Sequence, residues 1–155
     1  MQSRVEALAL AAVVLWMGCL STSASPTFGE ILTEATLGLL GGAAGAALSI
    51  AAVGEIAPLV PSPLSGAAVV ATLALGTGAG ASIGVLVAGD LLDRDARPLP
   101  CLVGGLLGGL AAALAEPILG VLGVPAPVAE FLGFALLPIL PAVGATLGLH
   151  LAPSP

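Results

Sequence analysis

The stretch Leu75-Gly76-Thr77-Gly78-Ala79-Gly80-Ala81-Ser82-Ile83-Gly84-Val85-Leu86-Val87-Ala88 decides the fold. Gly76, Gly80 and Gly84 recur every four residues and Ala88 continues the row, all without an intervening charge. Residues four apart share one face of a helix. Glycine weakens a helix in water, so this spacing needs an offsetting gain. In lipid the gain is close approach of two helix backbones along a groove free of side chains. A strand is disfavoured, because the apolar run is long and alanine-rich and lacks two-residue alternation.

Outward from this stretch the chain repeats the device. Four apolar segments lie near 31–53, 64–89, 101–121 and 128–151. Each has about 20–26 residues, enough to cross a hydrocarbon layer of about 30 Å as a helix. None carries the polar stripe that a helix on a soluble core shows across its middle. The first segment has Gly38-Gly42-Ala46 with Gly41-Gly45-Ser49 beside it, and the second adds Ala74-Gly78-Ser82. The third has Gly104-Gly108-Ala112 and Gly105-Gly109-Ala113, and the fourth Pro141-Ala145 and Gly144-Gly148. Ser82, Thr77 and Thr146 are placed to add hydrogen bonds between helices. The expected packing residues are Gly38, Gly42, Gly76, Gly80, Gly84, Gly104, Gly108, Gly144 and Gly148.

Composition agrees with a bilayer as solvent. The 155 residues are 58% hydrophobic and 8% charged, against about 25% charged in soluble domains. The net charge is −6, and the only cations are Arg4, Arg94 and Arg97. That excludes nucleic acid, which needs clustered Lys and Arg, and docking on anionic lipid through a basic patch. The two cysteines make no disulfide framework.

The first residues read as a secretory signal: Arg4, an apolar run from 7 to 20, then Ser21-Thr22-Ser23-Ala24-Ser25-Pro26, with a cut after Ala24. The alternatives are an uncleaved anchor and lipidation at Cys19. The connectors read as turns. Residues 54–63 hold three prolines, 90–100 hold most of the mature charge, and 120–127 hold Gly123, Pro125 and Pro127. Short connectors imply antiparallel neighbours. The expected fold is all-α: a signal at 1–24, then one membrane domain at 25–155, a transmembrane four-helix bundle of two hairpins. The halves are weakly alike: Gly38-Leu39-Leu40-Gly41-Gly42 matches Gly105-Leu106-Leu107-Gly108-Gly109, and Gly80-Ala81-Ser82-Ile83-Gly84-Val85 matches Gly144-Ala145-Thr146-Leu147-Gly148-Leu149. A cleaved signal places both mature termini and the Asp/Arg loop outside the cytoplasm.

Few residues invite chemistry. Glu116 precedes Pro117, which leaves the Ala113 carbonyl without its helical donor, and a carboxyl at membrane depth is a candidate proton or ion ligand. Glu55 and Glu130 are expected at the same membrane face, so the three are a candidate cation or proton site, or else ordinary residues marking helix ends. His150 stands at the opposite face with Glu30, Glu34, Asp90, Asp93 and Asp95. It reads as an exposed terminal histidine, with no metal site. Pro138 and Pro141 are expected to bend the fourth segment. Cys101 has no His beside it in sequence to activate it, and no phosphate loop is present. The chain reads as a non-enzyme without cofactor. Its partners are the lipid bilayer and, through a glycine face, a candidate second copy of itself.

The run 37–45, the run 76–89 and the terminal Pro141-Ala142-Val143-Gly144-Ala145-Thr146-Leu147-Gly148-Leu149-His150-Leu151 resemble small bacterial membrane proteins that carry a signal sequence and glycine-zipper helices. Those proteins end in Gly-Ala-x-x-Gly, often followed by an aromatic residue and Asn, where this chain has Leu149 and His150. The resemblance brings no activity with it, and the chain as a whole reads as an integral membrane protein with a structural or envelope role. The alternative is a small transporter or channel component that uses Glu116 and a kinked 128–151 helix.

Overall fold

The computed structural model describes residues 27–93 and 97–151. The signal segment 1–24, Cys19 and residues 94–96 of the Asp/Arg loop lie outside the described residues. Among those described, the chain is helical throughout, with no strand. Helix α1 spans Phe28–Ile56 and a 3-10 turn covers Ala57–Leu59. Then follow α2 (Ser62–Leu91), α3 (Pro98–Ala113), α4 (Ala115–Val121) and α5 (Ala126–Leu151). Three helices are long and apolar enough to cross a membrane, and α3 with α4 makes a fourth if the bent pair is one span.

Local chemistry sets the boundaries. Glu30, in the first turn of α1, accepts a hydrogen bond from the Thr27 backbone N–H at 2.6 Å, half of a capping box. Helices α2 and α3 begin with proline in the first turn, where a missing N–H costs nothing. Helix α4 ends on Gly123 at φ +80°. The Val124 N–H reaches the Leu119 carbonyl and the Gly123 N–H the Gly120 carbonyl. That left-handed closure suits glycine.

The expected single helix over 101–121 is broken. It turns by 43° between Ala113 and Ala115. Pro117 has no N–H to offer the Ala113 carbonyl, and its ring crowds that carbonyl. Pro138 and Pro141, expected to bend the fourth segment, both lie inside the unbroken α5. Neighbours hold that helix on both sides. Gly42 of α1 faces the Pro138 backbone and Gly108 of α3 faces the Leu140–Pro141 backbone.

Helix α1 packs on α2, α2 on α3, α3 on α5 and α5 on α1, with α2 also touching α5. Each of the four neighbouring pairs is antiparallel. Gly41 meets Gly80 and Gly45 meets Gly76, so one index rises as the other falls. The same holds for Gly104 with Gly144, Gly109 with Ala74, and Gly38 with Ala142.

The interior is filled by small side chains with a few polar groups, and the exterior is large and apolar. The largest fully buried side chains are Glu34, Val85, Thr77, Pro141, Cys101 and Ser82. Leu40, Leu48, Leu75, Ile83, Leu107 and Phe134 are all exposed. In water that arrangement forfeits about 1.5–3 kcal/mol for each large apolar side chain left outside.

Candidate functional site

The glycine rows divide their work by neighbour. On α1, Gly41 and Gly45 lie against the backbones of Gly80 and Gly76, while Gly38 and Gly42 lie against Val85, Ala142 and Pro138 of α2 and α5. On α2, Gly76, Gly80 and Gly84 face α1, and Gly78 faces Gly105 and Leu106 of α3. On α3, Gly104 and Gly108 face α5, and Gly105 and Gly109 face α2. Gly144 and Gly148 of α5 complete the set against Gly104 and Pro100. Doubled rows in the sequence therefore serve two different neighbours each. A methyl group at Gly42 would stand 3.1 Å from the Pro138 carbonyl oxygen, and one at Gly78 would stand 2.7 Å from the Gly105 carbonyl oxygen. These contacts are with backbone, which cannot rotate away.

Of the hydroxyls expected to bridge helices, Ser82 does so and Thr77 and Thr146 do not. Ser82 donates to Gly78 O at 2.8 Å and lies 3.2 Å from Cys101 O on α3. The Cys101 thiol returns a weak hydrogen bond to Ser82 O at 3.6 Å. Ser49 does the same between α1 and α2, with Gly45 O at 2.8 Å and Thr72 O at 3.1 Å. Thr77 and Thr146 instead donate within their own helices, to Leu73 O and Ala142 O. A helical hydroxyl reaches the carbonyl one turn back without help. Only where a neighbouring backbone comes close does it find a second acceptor. Among the described residues no buried side-chain polar atom lacks a partner.

The acids fall into two groups. Glu116 and Glu130 are exposed and line one cavity of about 180 Å³ with Leu73, Ala112, Ala113, Gly133, Phe134 and Leu137. Glu55 is exposed and is not in its wall. Among the described residues no three His, Cys, Asp or Glu side chains gather as a metal would need.

At the opposite end the expectation of an exposed His150 fails. Its Nε2 lies 2.7 Å from Oε2 of Glu34, an acid with no exposed area, and the His150 side chain itself is 24% exposed. The two residues are 116 positions apart. The signal was the four-residue row. Glu34 precedes Gly38, Gly42 and Ala46 on one face of α1, and His150 follows Pro138, Ala142 and Thr146 on one face of α5. Once those rows meet in antiparallel register, the pair follows.

No protein-family model, curated protein or solved structure matches this chain.

Proposed function

We propose that the chain is an integral membrane protein of the cell envelope with a structural role, its helices forming a four-helix transmembrane bundle closed by glycine-to-backbone contacts. The observation that carries this reading is the inverted distribution of side chains. Glycine, alanine, serine and threonine fill the interior while leucine, isoleucine and phenylalanine stand outside. Lipid solvates such an exterior, and small residues suit helix contacts in lipid, where apolar bulk gives no drive to associate. The resemblance to signal-bearing proteins with glycine-zipper helices agrees with this reading. In this reading a cleaved signal leaves both mature termini on the extracytoplasmic side. A second copy of the chain is the proposed protein partner, beside the bilayer itself.

The test is extraction. The processed chain should stay with membranes through alkaline carbonate and leave only with detergent. A processed chain that is monomeric in buffer without detergent refutes the reading. A second reading, a small transporter or channel component, is favoured only by the cavity that Glu116 and Glu130 share. Reconstituted liposomes separate the two: a specific cation or proton flux lost in Glu116→Gln would replace the structural role with transport.

A further inference from the structure

We propose that α4 is a hinged segment that swings back into line with α3, seats Pro117 on Gly66 of α2 and closes the cavity lined by Glu116 and Glu130. The starting point is a seam that stops short. Where α2 and α3 pack, Ser82 meets Cys101, Gly78 meets Gly105 and Ala74 meets Gly109. Each step of four residues down α2 is a step of four up α3. The same steps carried on pair Val70 with Ala113, Gly66 with Pro117 and Ser62 with Val121. The chain leaves the seam before the last of these pairs. It turns by 43° between Ala113 and Ala115, and α4 packs chiefly on α5. Gly66 meets nothing within 4 Å, Ser62 is exposed and Val121 is 90% exposed.

The gap beside the departing helix is the cavity of about 180 Å³. Leu73 of α2, Ala112 and Ala113 of α3, Glu116 of α4, and Glu130 and Gly133 of α5 stand around it. The cavity and the empty place on α2 thus lie at the end of one seam.

Helix α4 has a break at each end. At Leu114 the ladder is interrupted, because Pro117 gives the Ala113 carbonyl no donor. At Gly123 the backbone is left-handed, with φ +80°. Between them, Glu116, Pro117, Ile118, Gly120 and Val121 are exposed. The support on α5 includes bare backbone: a methyl at Gly133 would stand 3.0 Å from Glu116 Cβ. No side chain at Gly133 locks that contact.

Proline does not forbid the closed arrangement. Pro138 and Pro141 lie inside the unbroken α5, with Gly42 and Gly108 of neighbouring helices against their stretch of backbone. In the completed seam, Gly66 gives Pro117 the same kind of partner. Proline still weakens the helical ladder. The open arrangement is therefore the major one, and the closed one is populated at about 0.1–10%.

The experiment traps the closed arrangement with a disulfide between Ser62→Cys and Val121→Cys, in the full chain with Cys19→Ser in detergent micelles. A disulfide needs Cβ atoms about 3.5–4.5 Å apart. The continued register supplies that approach, and a 90% exposed Val121 does not. The readout is the rate of disulfide formation under copper–phenanthroline, with the bond located by mass spectrometry. The bond should form. Adding Pro117→Ala should raise its rate about tenfold or more, because the bend loses its cause. Adding Gly66→Leu should lower the rate about tenfold by filling the seat. Gly66 faces open space in the present arrangement, so a segment with no closed arrangement does not respond to that change. Absence of the bond, or a rate that Gly66→Leu leaves unchanged, overturns the proposal. Should Pro117→Ala fail to fold, the parent pair and Gly66→Leu still decide it.

Discussion

Gly80 and Gly66 sit on the same helix, and one substitution at each should act in opposite directions. A methyl at Gly80 would stand 3.1 Å from the Gly41 carbonyl carbon and 3.1 Å from the Gly45 Cα, with the Gly41 oxygen nearer still. Carbon atoms rest at about 3.5–4.0 Å, so α1 and α2 must part by roughly 0.5–1 Å, a gap that forfeits a quarter to a half of each dispersion contact. The loss spreads along the row, through Gly45 against Gly76 and Leu37 against Gly84. Overpacking of this kind costs about 1–3 kcal/mol. Gly66 meets nothing within 4 Å, so Gly66→Ala only restricts the backbone and should stabilise by about 0.5–1 kcal/mol. Thermal unfolding in detergent, followed by circular dichroism, reads both. At about 2–4 °C per kcal/mol for a chain of this size, Gly80→Ala should melt about 2–12 °C lower than wild type and Gly66→Ala slightly higher. Equal shifts at the two sites, or a rise at Gly80, would refute packing through bare backbone.

Further outcomes follow from single contacts. Pro117→Ala restores a donor for the Ala113 carbonyl, so the new amide at position 117 should exchange slowly with deuterium and the 43° bend should relax; fast exchange there would mean the break has another cause. Ser82→Ala removes the hydroxyl shared with Cys101 O and should cost about 0.6 kcal/mol, a melting shift of at most a few degrees; a collapse of the fold would show the contact to be worth far more. Thr146→Val removes a hydroxyl that serves only its own helix and should leave the melting temperature within about 2 °C of wild type. His150→Ala takes the imidazole away from the buried Glu34 carboxyl and should destabilise by about 1–3 kcal/mol, read as a lower melting temperature in detergent; an unchanged melting temperature would count against the contact.

The helical class and the membrane-length spans were legible because both rest on local properties, uninterrupted apolar runs and proline-marked turns. The glycine rows were visible as rows, yet nothing in a single helix says which row meets which neighbour. That depends on the antiparallel circuit of helices. Proline was the weakest guide. Pro117 breaks its helix where exposed Glu116 and Ile118 flank it, while Pro138 and Pro141 lie inside an unbroken helix with Gly42 and Gly108 packed on their backbone. The local rule is the same in each case, and tertiary contact decides how far it is felt. The surroundings of the acids were hidden for a related reason. Glu116 drew attention by its proline, but it is exposed. Glu34 read as a residue near a helix end, and its burial follows only from sharing a face with Gly38 and Gly42.

A helix face built of glycine has no torsions to freeze. Ordering a buried leucine gives up about 0.5–1 kcal/mol of rotamer freedom, while glycine and alanine give up none. When Gly41, Gly45, Gly76 and Gly80 come together, the side-chain entropy on the joining faces is the same before and after. Such a seam can close and reopen on weak dispersion forces alone. The long side chains that would have stiffened it keep their full mobility on the outside.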